Sequence, residues 1–210
     1  MRHRHLLKRS FDTGLCLLAA PLLLPLCLLI ALAIRIDSRG PVFFIQRRTG
    51  KGGQVFNIIK FRTMTHGLDP TDHAARMQRF VRGDTEVTAD ESATFKPFRP
   101  EEVTRVGRFL RETSLDELPQ LVNVIKGDMS LVGPRPNVCY EVDAYKLWHR
   151  ERLRVLPGIT GLAQLRGRSR TSFDEIVRND LEYITKQTLS LDVKILWWTI
   201  AAVISRNGAE

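Results

Sequence analysis

The chain reads as an α+β protein: an N-terminal re-entrant (Pro-broken) membrane helix hairpin, then a small mainly helical domain with a short β-hairpin and amphipathic interfacial helices. Three observations predict this. An uncharged apolar run, Thr13 to Ile34, contains two prolines; two strand-like runs flank a glycine cluster at 50–53; and apolar residues recur at helical spacing in several later segments. The expected division is a membrane unit with a basic N-terminus over 1–38 and a domain on the cytoplasmic face over 39–210, with 65–100 a variable surface excursion.

The apolar run is long enough to cross a hydrocarbon core of about 30 Å at about 1.5 Å per residue. A cleaved signal would have a shorter apolar region of about 7–15 residues and a small-x-small site; this run instead leads into Arg35-Ile36-Asp37. A spanning helix is the stronger alternative, but basic residues flank both ends: Arg2, Arg4, Lys8 and Arg9 before it, Arg35, Arg39, Arg47 and Arg48 after. Positive flanks favour the cytoplasmic side for both. Pro21 and Pro25 each remove a helix hydrogen bond mid-run, so the expectation is a helix that turns back near its middle.

Arg39-Gly40-Pro41 signals a turn before the strand-like Val42–Gln46, and 50–53 connects it to a second strand at Val55–Phe61. Within the polar stretch 65–100 only one short helix is expected, around Asp72–Val81. Helical spacing marks Glu101–Leu110, Asp116–Ile125 (ending near Gly127) and Ser172–Lys186. The tail Leu191–Ser205 carries Trp197-Trp198 beside Lys194 and Arg206. That composition suits a helix lying on a bilayer, with a buried core helix as the alternative.

Charge is the unusual bulk property: 32 Lys+Arg against 23 Asp+Glu, a formal net of +9. It suits an anionic partner without choosing among nucleic acid, an anionic leaflet and phosphorylated substrates. Cys16, Cys27 and Cys139 form no CxxC pair and read as reduced thiols. The five histidines, His3, His5, His66, His73 and His149, read as solvated. No Walker-type GxxxxGK loop, GxGxxG turn or HExxH motif occurs.

The stretch 111–136, RETSLDELPQLVNVIKGDMSLVGPRP, is the richest in chemistry. Ser114 with Glu117 matches a capping box, but Pro119 would then fall where a helix needs an N–H; with Asp116 as the cap, Pro119 sits harmlessly in the first turn. Asp116 is therefore expected at a helix mouth, where a carboxylate stays ionised and a phosphate is favoured. An ionised Asp can attack phosphorus, and Glu117 could hold a divalent ion or manage a proton; the residues alone also allow a plain cap. In Gly133-Pro134-Arg135-Pro136, two prolines fix the backbone around an arginine suited to bidentate phosphate contact. Lys60 and Arg62 close the second strand, and Gln164 and Arg166 belong to a further basic cluster after Pro157-Gly158.

Taken together, the apolar N-terminus, DSRGPVFFIQRRTGKGG (37–53), KFRTM (60–64), TSLDELPQL (113–121), GDMSLVGPRP (127–136) and LPGITGLAQLRGR (156–168) resemble the bacterial sugar transferase family. These are small monotopic phosphoglycosyl transferases that start glycan assembly on undecaprenyl phosphate. The resemblance runs nearly end to end, with 65–100 outside its motifs. It implies a re-entrant helix broken at Pro25, just before which the family often has a serine and this chain has Leu24. It implies that Asp116 is the nucleophile, that Glu117 is its dyad partner, and that the two hold Mg2+. The implied reaction is ping-pong: Asp116 takes sugar-1-phosphate from a UDP-sugar, releasing UMP, and polyprenol phosphate collects it. Arg135, Arg111, Lys60 and Arg62 are then expected at phosphates, with Pro134, Pro136, Gln164, Arg166 and Asp192 in support. The implied location is the bacterial inner membrane with the domain on its cytoplasmic face, and a homodimer stays open.

Other classes predict different behaviour. An inactive protein binding anionic lipid through its basic face would tolerate Asp116→Asn and need no Mg2+. A membrane-tethered nucleic-acid binder would want exposed aromatics among its basic residues; Phe43, Phe44, Phe56 and Phe61 pattern as strand core instead, so no nucleic acid is expected.

Overall fold

A computed structural model describes residues 2–65, 71–83, 102–167 and 172–205. The fold is α+β, a long apolar N-terminal helix on a small, mainly helical domain with two short sheets. Helix α1 (Arg2–Asp37) is continuous in its helical assignment and has Pro21 and Pro25 inside it. The expected long helix is there, while a hairpin break is not displayed. Leu17, Leu18, Leu22, Leu24, Leu28 and Leu29 are exposed. Such a patch needs an apolar partner.

Both ends of α1 are fastened to the same domain. Near its start, Arg9 donates to the Val124 and Ile125 carbonyls, Lys8 pairs with Asp192 at 2.7 Å, and Asp12 accepts from Ser130 Oγ at 2.7 Å. Near its end, Ile30 and Ile34 pack with Phe61 and Leu110, and Asp37 accepts from the Val106 N–H.

The hairpin forms as β1 (Phe43–Thr49) and β2 (Val55–Phe61), antiparallel with Arg48 opposite Phe56 and Phe44 opposite Lys60. The observed β1 runs three residues beyond the sequence reading, into Arg48 and Thr49, and the Thr49 N–H reaches the Asn137 carbonyl.

Helix α2 (Thr71–Arg82) lies within the stretch read as a surface excursion, yet its Val81 is fully buried against Val142, Tyr145, Phe173 and Val177. This part of the excursion therefore contributes to the core; residues 66–70 and 84–101 lie outside the described residues. Helix α3 (Arg105–Glu112) starts at Thr104, whose side chain accepts from the Gly107 N–H.

The expectation of one helix from Asp116 to Ile125 needs correction. Residues Leu115–Glu117 form a single 3-10 turn, and α4 (Gln120–Lys126) begins only after Pro119, ending on left-handed Gly127. The cause is Pro119. An α-turn here would need a Pro119 N–H to reach the Leu115 carbonyl, and proline has none; the Leu118 N–H takes that carbonyl in a shorter 3-10 bond instead. Ser114, just before the turn, holds φ at 54°, a left-handed conformation rare outside glycine.

Beyond α4 come β3 (Ser130–Val132), α5 (Cys139–Asp143), a 3-10 stretch over Leu147–Arg154, β4 (Gly158–Thr160) and α6 (Leu162–Arg166). The domain closes with α7 (Phe173–Lys186), capped by Ser172, and α8 (Leu189–Ile204). Strands β3 and β4 pair in parallel, Ser130 with Gly158 and Val132 with Thr160. Val124, Met129, Val132, Tyr183 and Ile195 form the central core, each contributing on the order of 1.5–3 kcal/mol by burial. Trp197 and Trp198 on α8 stay exposed, as an interfacial helix requires. His149 departs from the solvated reading: it is fully buried, with Nε2 2.9 Å from Asp174 and Nδ1 accepting from the Lys146 N–H. The 3-10 turn that begins at Leu147 tucks it inward.

Candidate active site

Three segments converge on the 3-10 turn carrying Asp116 and Glu117. Strand β2 supplies Lys60, the loop after β3 supplies Arg135, and α3 supplies Arg111. Asn123 holds β2 against α4: its Oδ1 accepts from the Ile59 N–H and its Nδ2 donates to the Asn57 carbonyl at 2.7 Å. This brings Lys60, in sequence remote from the dyad, beside it. Asn123 is 1% exposed, and sequence reading did not single it out.

Adjacent in sequence, the two carboxylates sit in different environments. Glu117 Oε1 accepts from Lys60 Nζ at 2.7 Å and from Arg135 Nη1 at 3.1 Å. Burial pushes its carboxyl up, but Arg135 and Lys60 outweigh that and hold it at about 2. Asp116 Oδ2 stands 4.0 Å from the same ammonium. Burial raises the Asp116 carboxyl above its ordinary value, Lys60 opposes this, and ionised Glu117 adds to it. Burial likewise draws the Lys60 ammonium down, with Glu117 pulling it back up. One carboxylate is thus clamped and permanently charged, while its neighbour is held loosely and is the more readily protonated. Arg111 donates from Nε to Thr63 Oγ1 at 2.9 Å and adds positive charge near Asp116.

Arg135 is placed by a backbone packed too closely for side chains. A Cβ on Gly133 would lie 2.5 Å from the Leu156 carbonyl oxygen and 2.9 Å from the Gly158 nitrogen, so the two glycines let β3 and β4 touch just before the Pro134–Pro136 turn. From beneath, Arg152 fixes this turn: one Nη donates to the Arg135 carbonyl at 3.1 Å, the other to Asn137 Oδ1 and, at 2.8 Å, to Tyr145. Asp180 pairs with Arg152 at 2.5 Å. Arg48 donates to the Pro136 carbonyl at 3.0 Å. Sequence reading missed Arg152 and Arg48 because their partners are far away along the chain and no local motif marks them. Pro134 and Pro136 are buried.

Other expected site residues lie elsewhere. Arg62 is buried and ties the hairpin to the end of α1, donating to the Ser38 carbonyl at 2.8 Å and its hydroxyl at 2.7 Å. Arg166 pairs on the surface with Glu182 at 2.5 Å and also reaches Asn179. Gln164 donates to the Ile159 carbonyl near the Gly133–Gly161 contact. Asp192 is fully buried between Lys8 and Tyr183, whose hydroxyl also donates to the Val132 carbonyl. It therefore supports the segment leading to Arg135 from behind.

Beside the dyad lies a cleft, open at its mouth, lined among others by Arg48, Lys60, Glu117, Gln120 and Arg135. Three cations face one carboxylate there. A carboxylate pair beside a cationic cleft, in a domain that carries a long apolar helix, has the make-up of a group-transfer enzyme for anionic substrates.

The chain belongs to the bacterial sugar transferase family, whose profile matches residues 3–206. It is 42% identical to a UDP-glucose:undecaprenyl-phosphate glucose-1-phosphate transferase of Caulobacter vibrioides, covering 96% of this chain and 71% of that protein. It is 40% identical to the exopolysaccharide production protein ExoY of Rhizobium meliloti, covering 96% of this chain and 87% of the relative. Identity is 41% to an undecaprenyl-phosphate glucose phosphotransferase of Komagataeibacter xylinus, covering 96% of this chain but only 36% of that longer protein.

Proposed function

We propose that the protein transfers a sugar-1-phosphate from a UDP-sugar to undecaprenyl phosphate, through a covalent intermediate on Asp116. The observation that carries this is the asymmetry of the dyad, Glu117 clamped at 2.7 Å and 3.1 Å and Asp116 left 4.0 Å from its cation. A carboxylate oxygen that already accepts from two cations is a poor nucleophile; one held loosely in a desolvated site is a good one.

In the first step an Asp116 oxygen attacks the phosphorus next to the sugar. The bond from that phosphorus to the bridging oxygen breaks, and UMP departs with the electron pair. In the second step an oxygen of undecaprenyl phosphate attacks the same phosphorus, the aspartyl P–O bond breaks, and the carboxylate is restored. Lys60, Arg135 and Arg111 offset the phosphate charge, and Glu117 keeps the first two in place. Asp116 and Glu117 are the residues that would hold Mg2+, since such an ion takes one or two carboxylates and completes its shell with phosphate oxygens and water. When bound, Mg2+ supplies neutralisation of the diphosphate.

Helix α1 is read here as a re-entrant hairpin seated in the cytoplasmic leaflet of the inner membrane. Arg9 and Asp37 both bond to the one domain, and a helix crossing the bilayer would carry its two flanks to opposite sides. Pro21 and Pro25 occur mid-helix, where a reversal would fall.

Intact-protein mass spectrometry tests the reading. Solubilised protein incubated with Mg2+ and a panel of UDP-sugars, without lipid acceptor, should gain the mass of one sugar phosphate, and Asp116→Asn should not. Failure of folded wild type to form an adduct with any donor in the panel counts against the covalent route.

A further inference from the structure

Gln120 is a polar side chain that the fold leaves incomplete. It is 2% exposed, it lines the cleft beside Glu117, and its Nε2 has no hydrogen-bond partner among the described residues. A buried donor without an acceptor costs about 1–3 kcal/mol, so such a group is retained where something outside the chain completes it. Arg48, on the same cleft, is in a similar state. Its Nη1 and Nη2 are taken by the Pro136 carbonyl and Gln46, while its buried Nε has no partner. Two unsatisfied donors therefore border a cleft that Lys60 and Arg135 make net positive.

We infer that Gln120 Nε2 and Arg48 Nε form a subsite for a phosphate monoester, occupied in turn by the phosphate that leaves in the first step and the phosphate that attacks in the second. This rests on the two-step reading above. Displacement at phosphorus runs in line, so the group opposite Asp116 in the first step lies where the second nucleophile must come from. Both groups are phosphate monoesters, one carrying a nucleoside and the other a polyprenol. A single set of donors serves both, with the nucleoside and the lipid chain projecting from the open mouth. Gln120 suits this task because it donates without adding charge: departure of the first monoester and entry of the second both require an occupant held firmly but releasably.

The test uses the full chain in lipid nanodiscs with Gln120→Met, close in volume but lacking the donor, and Gln120→Glu, which places an acid against the anion. UMP affinity is measured by calorimetry, melting temperature without ligand, and the two half-reactions separately, as UMP release on donor addition and as discharge of preformed adduct by polyprenol phosphate. Gln120→Met should melt no lower than wild type, bind UMP on the order of 10- to 100-fold more weakly, the range for a lost hydrogen bond to a charged group, and slow both half-reactions by similar factors. Gln120→Glu should bind UMP more weakly still. Unchanged UMP affinity in both variants overturns the inference, as does a lowered melting temperature in Gln120→Met, which would make Gln120 a structural residue. An effect on only one half-reaction overturns the shared use. If wild type forms no adduct, the covalent reading fails, while the UMP titrations still decide whether Gln120 contacts phosphate.

Discussion

Two ionic clusters flank the Pro134–Pro136 turn, and they are built to opposite ends. Beneath the turn, Arg152 is 3% exposed and bonds to Asp180, Asn137, Tyr145 and the Arg135 carbonyl. Protein closes it on every side described. Beside the turn, Glu117 joins Lys60 and Arg135 at similar distances, yet this cluster opens onto a cleft in which Gln120 and Arg48 keep unsatisfied donors. The same pairing of charges is enclosed by protein in one place and borders a cleft in the other. Charge pairing alone does not locate a site; its opening onto a cleft is what differs here.

Substitutions should separate the two clusters. The largest effect is expected at the open one, where Asp116→Asn should lower turnover by roughly 10^4-fold or more, as loss of a covalent nucleophile does. Its melting temperature should hold or rise, because burial already disfavours the ionised carboxylate. At the closed cluster, Arg152→Met leaves Asp180 buried without a counter-ion and should cost about 3–5 kcal/mol in denaturant unfolding. Adding Asp180→Leu should recover much of that stability. Turnover should stay depressed by about 10-fold or more, since a slightly misplaced Arg135 is costly to the transition state. Recovery of activity together with stability would mean that Arg152 does not position the turn.

Arg135→Lys keeps the charge but loses the fork, and should lower adduct formation on the order of 10-fold without changing the melting temperature. The acid limb offers a subtler contrast. Adduct formation needs ionised Asp116, whose carboxyl is raised, so the rate should fall with decreasing pH at a midpoint above the ordinary 3.8. Glu117→Gln removes a charge that raises Asp116 and frees Lys60 and Arg135 to lower it, so the midpoint should move down even as the rate drops. An upward movement would contradict the electrostatic account. The smallest effect is expected from Arg166→Ala, half-exposed and paired with Glu182, where turnover and melting temperature should be nearly unchanged.

The legible parts of this fold were those with local periodicity or composition. The apolar run gave α1, the glycine cluster gave the hairpin, and helical spacing over Ser172–Lys186 gave α7. The β3–β4 pair escaped because each strand has three residues and their contact relies on glycines, which carry no pattern. At the site, Asp116, Glu117 and Arg135 stood out through Pro119 and the paired prolines. Their supports did not: Asn123, Arg152 and Gln120 are polar residues in helical segments, indistinguishable in sequence from solvated ones until distant strands cover them. For Arg62 and Arg166 the sequence shows only a basic residue beside a motif, and the fold pairs them with a backbone carbonyl and a surface acid.

The bond from Lys8 to Asp192 joins positions 184 apart in the chain. At about 5–20 residues per second, a ribosome needs roughly 10–40 s to deliver the second after the first. Early in that interval the exposed leucines of α1 have been made, while Ser130, which fastens Asp12, and Asp192, which fastens Lys8, are still to come. Assembly is thus ordered by synthesis: the apolar helix must be sheltered before the domain can claim it, and Lys8 waits for Asp192 on α8.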